Sequence, residues 1–104
     1  MICVDYLQAC LPNHRWRWDQ VSHLHCLPTD DIEDLHQFAE RIGLKREWFQ
    51  PQSIIPHYDL MPAMREVALR AGATELLTRF ELVANIRAWR LHRYGPKKIV
   101  SPDQ

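Results

Sequence analysis

Residues 21–43 read VSHLHCLPTDDIEDLHQFAERIG, and this stretch predicts a strand followed by a helix. Residues 21–27 alternate between two faces with a period of two, which is typical of a half-buried strand. Thr29 or Asp30 can cap the predicted helix, and Asp30 and Glu33 form a pair like a capping box at its start. Apolar residues then recur at helical spacing up to Gly43, which suits a helix C-terminus: Ile32, Leu35, Phe38, Ala39 and Ile42.

Further elements are predicted on both sides of this unit: a strand over 1–6, a helix over 62–71, a short strand over 73–77 and a helix over 79–94. Thr78 and Glu81 form a capping box for the last helix, which favours the strand over 73–77 against the alternative that a helix already starts there. Residues 44–61 are expected to be irregular, because Pro51 and Pro56 break any helix. We therefore predict an α/β fold, a single compact domain of about three short strands with three helices, the last helix basic. Residues 1–94 should form this domain and residues 95–104 a flexible C-terminal tail.

The charge is balanced overall and uneven along the chain. The 104 residues carry 13 Lys and Arg against 13 Asp and Glu, a net charge of zero. Such a chain has no long-range positive field, so we do not expect it to bind extended nucleic acid by charge alone. Residues 1–78 hold seven basic against eleven acidic side chains, whereas residues 79–104 hold six against two. The basic last helix is a candidate contact surface, including for a homo-oligomer.

The cysteines and the apolar runs bear on localisation. Cys3, Cys10 and Cys26 form no C-x-x-C pair, so neither a zinc knuckle nor a redox dithiol is predicted. Asp5 interrupts the first apolar run, and no run approaches the roughly 20 residues that span a bilayer. We expect a cytoplasmic protein with reduced cysteines and no membrane partner.

The segment 48–60, WFQPQSIIPHYDL, concentrates side chains that bind ligands. Binding residues favour loops that a rigid scaffold positions. Trp48 and Tyr58 offer flat faces for a base or a sugar, and His57 can donate, accept or bind a metal near neutral pH. The structural alternative is that these residues plug the edge of the core and hold a long loop in place.

Arginines flank this segment. Arg46 follows the first predicted helix and Arg65 lies in the first turns of the second, where either guanidinium could bind a phosphate or carboxylate. The amides at the start of the second helix would add donors. A surface salt bridge is the alternative for each arginine. The only glycines are Gly43, Gly72 and Gly95, so neither a P-loop nor a dinucleotide-binding motif is present.

A divalent metal site is a second interpretation of the same region. Asp5 stands at the carboxyl end of the first predicted strand, where ligands collect in α/β sheets. The imidazole and carboxylate ligands would come from Asp5, His23, His57 and Asp59. No spacing such as H-E-x-x-H supports this set, and His23 and His25 also fit a hydrogen-bonded surface pair. We therefore predict no cofactor, with a divalent ion as the alternative.

The stretch 15–18 reads RWRW. Interleaved basic and aromatic residues are one way in which single-stranded nucleic acid is held, through stacking and phosphate contacts. Four residues also fit a loop that packs on a partner protein, so this stretch alone does not decide between them.

Several segments together resemble a small bacterial and phage family of unknown function. The matching motifs are Val-Asp at 4–5, Leu-His-x-Phe-Ala at 35–39, Arg-x-Trp-Phe-Gln at 46–50, Pro-His-Tyr-Asp-Leu at 56–60 and Gly-Ala at 72–73. The resemblance covers residues 2–77. Relatives carry a second acidic residue where Tyr6 stands and a basic one where Met64 stands. The departure at Tyr6 weakens the case for a paired-carboxylate metal site at the first strand. The resemblance implies one site formed by Asp5, His23, His36, Arg46, Trp48, Gln50, His57, Tyr58, Asp59 and Arg65.

The first hypothesis for function is a binding domain, not an enzyme, for a small anionic, nucleotide-like ligand. Arg46 and Arg65 would neutralise phosphate, and the aromatic rings would stack. Because the family occurs in phages, such a domain would sequester a host nucleotide signal. The alternatives are a small metal-dependent hydrolase or nuclease, and a protein–protein interaction module that acts through the basic C-terminal helix.

Overall fold

The computed structural model describes residues 1–96, so most of the predicted tail lies outside the described residues. Within 1–96 the chain forms an α/β domain of five strands and three helices. The strands are β1 (Ile2–Val4), β2 (Gln8–Ala9), β3 (Gln20–Cys26), β4 (Tyr58–Leu60) and β5 (Thr74–Glu75). The helices are α1 (Ile32–Arg41), α2 (Pro62–Arg70) and α3 (Arg79–Tyr94), and a single 3-10 turn spans Arg46–Trp48.

β3 is the central strand of the sheet. It pairs antiparallel with β1, β2 and β4, and β1 pairs parallel with β5 on its other edge. The register places Val4 and Tyr58 on either side of Leu24, and it places Asp59 opposite His23. The predicted strand over 21–27 is therefore confirmed, within one residue at each end.

A β-bulge separates β1 from β2. Val4 pairs with Leu24 and Gln8 pairs with Val21, so three residues on one side oppose two on the other. Bulges of this kind bend a strand and redirect its side chains. Here the backbone amide of His23 donates to Oδ1 of Asp5 at 2.7 Å, where a regular ladder would use a backbone carbonyl. The bulge thus holds the Asp5 carboxylate against β3.

The core lies between one face of the sheet and the helices α1 and α2. Leu24, Tyr58 and Leu60 from the strands are fully buried there against Leu35 and Ala68 from the helices. Fully burying one such large apolar side chain contributes about 2 kcal/mol. The predicted apolar stripe of the first helix is confirmed for Leu35, Phe38, Ala39 and Ile42, which pack in this core, whereas Ile32 is exposed.

The helix ends follow the predicted chemistry with one correction. α1 is capped by Asp31, whose side chain accepts from the amide of Glu33 at 3.0 Å, and not by Thr29 or Asp30. Asp30 instead accepts from the amide of Leu27 at 2.8 Å and pairs with the N-terminal amine. α3 begins and ends where the sequence predicted.

The predicted α/β fold with three helices is confirmed, and the sheet has two short strands, β2 and β4, in addition to the three predicted. The segment 44–61, which was predicted to be irregular, contains two short regular elements. Residues 46–48 form the 3-10 turn, and the segment's end forms β4. β2 and β4 have two and three residues. Elements this short show no period of two in the sequence, so they can be identified as strands only by their pairing with β3.

α3 contacts the sheet face opposite the core. Nε1 of Trp89 donates to the Cys26 carbonyl at 2.8 Å, and Asn85 contacts His25 at 3.0 Å. The helix leaves Phe80, Leu91 and Tyr94 exposed. That it contacts a second copy of the chain stays a prediction. Within residues 1–96, no helix has the length and hydropathy that crossing a membrane requires.

Candidate functional site

The site begins at the buried carboxylate of Asp5, which is 1 % exposed. It accepts hydrogen bonds from the Ser22 hydroxyl at 2.9 Å, from the His23 amide at 2.7 Å and from Nδ1 of His23 at 2.8 Å. Burial raises the pKa of Asp5, but the bonds from His23 and Ser22 outweigh it, and the pKa lies below its ordinary value. Asp5 is therefore an ionised anchor for the His23 ring.

Two imidazoles are held in defined orientations. Nδ1 of His23 contacts the Asp5 carboxylate, and Nδ1 of His57 contacts the Ile55 carbonyl at 2.8 Å. Both partners only accept, so Nδ1 carries the proton in each ring. The other nitrogen, Nε2, is then the one that offers a lone pair in the neutral ring. The two rings lie edge to face, with centroids 4.8 Å apart.

Both Nε2 atoms face the carboxylate of Asp59. Oδ1 of Asp59 lies 3.6 Å from Nε2 of His23 and 3.3 Å from Nε2 of His57. Its other oxygen, Oδ2, accepts from Nε2 of Gln50 at 2.6 Å. The backbones of Gln50 and His57 are bonded in both directions, which fixes the amide beside the site. We call this set, Asp5, His23, Gln50, His57 and Asp59, the histidine–aspartate cluster.

The protonation of the cluster reflects the crowding of these groups. Burial lowers the pKa of His57, but contacts with Asp59 and with the Ile55 carbonyl outweigh it, so that the pKa is raised. Burial raises the pKa of Asp59, but contacts with His57 and Gln50 outweigh it, so that the pKa is lowered. Two nitrogen lone pairs and a carboxylate that converge on one point favour a positive charge between them.

The spacing of the three converging atoms fits a metal ion. One ligand atom each of His23, His57 and Asp59 lies within 4.8 Å of the other two. Ligands bound at about 2.0–2.1 Å to a tetrahedral zinc ion are about 3.3–3.4 Å apart. The Nε2 atom of His57 lies at that spacing from Oδ1, at 3.3 Å, and the Nε2 atom of His23 lies slightly farther, at 3.6 Å. Asp5 and the Ile55 carbonyl act on Nδ1 as the outer partners of metal-bound histidines do.

Two of the predicted site residues lie elsewhere. Tyr58 is 0 % exposed, and its hydroxyl is 2.6 Å from Nδ1 of His36. Both rings also pack against Phe49. The stacking role predicted for Tyr58 is therefore wrong, because Tyr58 is a core residue on the face of β4 opposite Asp59. We call Tyr58 and His36 the buried pair.

The two predicted anion contacts are engaged within the protein. Arg65 is buried, and it donates to the Asp5 carbonyl and to the Glu75 carboxylate, both at 2.9 Å. Arg46 pairs with Glu33 at 2.6 Å and with Glu40 at 3.2 Å. The predicted role of both arginines as a clamp on a ligand phosphate is thus not supported. Arg65 instead holds the bulge that carries Asp5.

A cleft of about 580 Å³ opens beside the cluster. Trp48, which is 49 % exposed, forms one side together with Leu44, and Met61 and Met64 line it as well. Gln50 and Asp59 belong both to this cleft and to the cluster. The remaining lining residues come from the stretch 15–18: Arg15, Trp16 and Trp18. We call it the tryptophan cleft.

A model of the DUF4031 family, described as a protein of unknown function, matches residues 4–89. The chain belongs to the DUF4031 family. The match includes every residue of the histidine–aspartate cluster, so the cluster lies in the part of the chain that defines membership. The predicted resemblance to a small bacterial family of unknown function is confirmed.

A curated relative of this DUF4031 protein is the uncharacterized protein YneQ of Bacillus subtilis (strain 168). The two are 38 % identical over 53 residues, which is 50 % of this chain and 54 % of the relative. The chain thus matches about half the length of that relative. No solved structure matches the chain of this DUF4031 protein.

Three contributors to the cluster were not predicted from the sequence. Ser22 supports the Asp5 carboxylate, the Ile55 carbonyl orients His57, and Glu75 holds Arg65. The register of β3 against the bulge brings Ser22 to Asp5, and no residue pattern signals that. A backbone carbonyl such as that of Ile55 carries no sequence signal at all.

Proposed function

We propose that this DUF4031 protein is a small metal-dependent hydrolase whose ion is held by His23, His57 and Asp59. The observation that carries the proposal is the orientation of the two imidazoles. Each Nδ1 is bound to an acceptor, and each Nε2 is directed at the same oxygen of Asp59. Two imidazoles and one carboxylate form a typical ligand set for a catalytic zinc ion or a similar divalent ion.

Three protein ligands leave a fourth position for water. A divalent ion held by His23, His57 and Asp59 would lower the pKa of a bound water to about 7 and so supply the nucleophile at neutral pH. Hydrolysis would add the water oxygen to the electrophilic atom of the substrate as the bond to the leaving group breaks, and the leaving group would depart with a proton from solvent. Asp5 keeps the His23 tautomer fixed, and Gln50 keeps the second oxygen of Asp59 occupied.

This proposal replaces the first hypothesis, a nucleotide-binding pocket built on the arginines. That pocket needed Arg46 and Arg65 for phosphate and Tyr58 for stacking, and these three side chains are paired or buried. The hydrolase uses the alternative set, Asp5, His23, His57 and Asp59, and these are close together.

Zinc titration of the EDTA-treated protein tests the site. We expect one ion per chain. Asp59→Asn and His57→Asn should weaken binding by more than the roughly 10–100-fold that changes in outer partners produce. His92→Asn is the matched control, because His92 is an exposed histidine on α3 that is not part of the cluster. Equal loss in the control, or unchanged affinity in Asp59→Asn, would contradict the proposal.

Hydrolysis is tested separately with chromogenic esters, including bis(p-nitrophenyl) phosphate and p-nitrophenyl acetate. We expect release of p-nitrophenolate that depends on added zinc, manganese or cobalt and disappears in Asp59→Asn. A protein that binds one ion at the cluster, yet cleaves none of these esters with any of the three metals, would refute hydrolysis and leave only a metal-binding role.

A further inference from the structure

We propose that the tryptophan cleft binds the substrate of the cluster, and that this substrate is a nucleotide unit with its phosphate. The inference rests on the proposed function, since it names the substrate class of the same site. It uses the RWRW stretch, which the metal site itself leaves without a role. The cleft shares Trp48, Gln50 and Asp59 with the pocket first predicted, but its other aromatic walls are Trp16 and Trp18 instead of Tyr58.

The aromatic side of the cleft is ordered by its own contacts. The Asn13 side chain accepts from the amides of Arg15 and Trp16 at 2.8 and 3.0 Å, which closes a tight turn. Nε1 of Trp16 donates to the Gln20 carbonyl at 3.1 Å, at the first residue of β3. The rings of Trp16 and Trp18 meet edge to face, with centroids 4.7 Å apart. These contacts anchor the turn to the sheet.

Cations surround the tryptophans. Arg15 lines the cleft, the Arg17 guanidinium lies 5.7 Å from the Trp18 ring centroid, and the Lys45 ammonium lies 5.6 Å from that of Trp48. Among residues 1–96 no carboxylate is within ion-pair distance of Arg15, Arg17 or Lys45. Flat rings beside unpaired cations are the combination that binds a base and its phosphate.

The start of α2 adds donors to this side. Met61 precedes the helix and Met64 lies in its first turn, and both line the cleft. Met61 provides no side-chain cap, so the first amides of α2 have no side-chain partner there. Amides at a helix N-terminus favour anions such as phosphate. This supports the choice of an anionic ligand over a neutral one.

The cleft meets the histidine–aspartate cluster at Gln50 and Asp59. Oδ1 of Asp59 faces both histidines, which line a second cavity of about 300 Å³ together with Asp5. A phosphate near Asp59 would therefore lie beside the ion and the water of the proposed hydrolase. The volume of about 580 Å³ suits one or two nucleotides rather than a duplex. The P–O bond broken would belong to a free nucleotide or to the end of a single strand.

Binding is measured by calorimetry in EDTA, so that the result does not depend on a metal. The probes are adenosine 5′-monophosphate and a single-stranded DNA pentanucleotide. We expect Trp48→Ala to weaken binding about tenfold or more, the effect of losing one stacked base, and Arg15→Gln to weaken it and reduce its salt dependence. The matched controls on α3 are Phe80→Ala and Arg87→Gln, an exposed aromatic and an exposed arginine.

Binding of either probe with this pattern supports the inference, and the better probe identifies a free nucleotide or a strand end as the source. No heat with either probe at millimolar concentration would overturn it, as would equal losses in the α3 controls. Trp48 is half exposed, so Trp48→Ala should stay folded, which circular dichroism checks. Zinc binding without nucleotide binding would refute this inference alone, and nucleotide binding without zinc binding would refute the hydrolase alone.

Discussion

The Pro-His-Tyr-Asp-Leu motif at 56–60 divides between two environments on opposite faces of the sheet. His57 and Asp59 belong to the partly exposed histidine–aspartate cluster, whereas Tyr58 is fully buried against His36. Successive residues of a strand point to opposite faces, so adjacent positions in one motif serve different purposes. In this motif, His57 and Asp59 belong to the candidate site, and Tyr58 between them belongs to the core.

The histidines of the two environments differ in protonation. In the cluster, contacts with Asp59 and the Ile55 carbonyl outweigh burial and raise the pKa of His57. In the buried pair, burial lowers the pKa of His36. The first ring is thus poised to share a cation, either a proton or a metal ion, and the second is kept neutral beside a hydroxyl. This difference in pKa distinguishes a histidine suited to binding a cation, His57, from a structural histidine, His36.

The largest expected effect comes from the buried pair. Tyr58→Ala should lower the free energy of unfolding by about 3–5 kcal/mol, because it removes a fully buried aromatic ring and leaves a cavity. Tyr58→Phe removes only the bond to His36 and should lower it by about 1 kcal/mol. Urea denaturation measures both. If Tyr58→Ala lowered the free energy of unfolding by less than Tyr58→Phe does, the assignment of Tyr58 to the core would be wrong.

Asp5 links the cluster to the fold, and its change should come next in size. Asp5→Asn should lower the free energy of unfolding by about 3 kcal/mol, since it breaks a buried ionic network with His23 and Ser22. It should also weaken zinc binding about 10–100-fold through the His23 ring. Denaturation and zinc titration of the same preparation check both effects. A stable Asp5→Asn variant with normal zinc affinity would show that Asp5 neither stabilises the fold nor orients His23 for the ion.

Acid should act through His25, which shares the strand of His23 and yet is buried against Asn85. Burial lowers the pKa of His25 to about 4. The unfolded chain, with a histidine pKa near 6.5, takes up the proton first as the pH falls. The contribution of His25 to the free energy of unfolding is therefore fully present at pH 7.5 and falls by about 2 kcal/mol between pH 7.5 and 5. Denaturation across this range checks it, and His25→Gln should flatten the curve.

His57 should act in the opposite direction in the metal-free protein. Its folded pKa is raised, so its contribution is present below its unfolded pKa and is lost as the pH rises through the folded one. His57→Asn should remove this alkaline loss and retain most of the acid loss from His25, whose pKa is lowered mainly by burial. Alkaline curves that coincide for the wild type and the variant would show that the contact with Asp59 has no influence on stability.

The smallest effect is expected at Asp59 itself. Asp59→Asn in the metal-free protein should change the free energy of unfolding by at most about 1 kcal/mol, because its side chain is 35 % exposed and its ion pairs are partly solvated. Next to Tyr58→Ala, this adjacent change should be minor for stability and decisive for zinc. A loss as large as that of Tyr58→Ala would make Asp59 structural.

The sequence alone predicted the elements that carry their own periodic signals. Strand β3, helix α1 and the bounds of α3 follow from alternation, an apolar stripe and a Thr78 cap. The short strands β2 and β4 could not be predicted, because two or three residues show no period and their pairing with β3 defines them.

The site was predicted in part for a related reason. Asp5, His23, Gln50, His57 and Asp59 were all named from residue chemistry, and the register of β3 brings them together. Tyr58 and His36 have equally suitable chemistry, and only the face of the strand excludes them. Arg46 and Arg65 were misjudged because their carboxylate partners lie distant in sequence or on other elements.

X-ray absorption spectroscopy of the zinc-loaded protein shows whether His23, His57 and Asp59 bind the ion. We expect one zinc ion per chain with two imidazole nitrogens and oxygen ligands at about 2.0–2.1 Å, and loss of this signal in Asp59→Asn. Sulfur ligands at about 2.3 Å, from Cys3, Cys10 or Cys26, would contradict it, as would a spectrum that Asp59→Asn leaves unchanged.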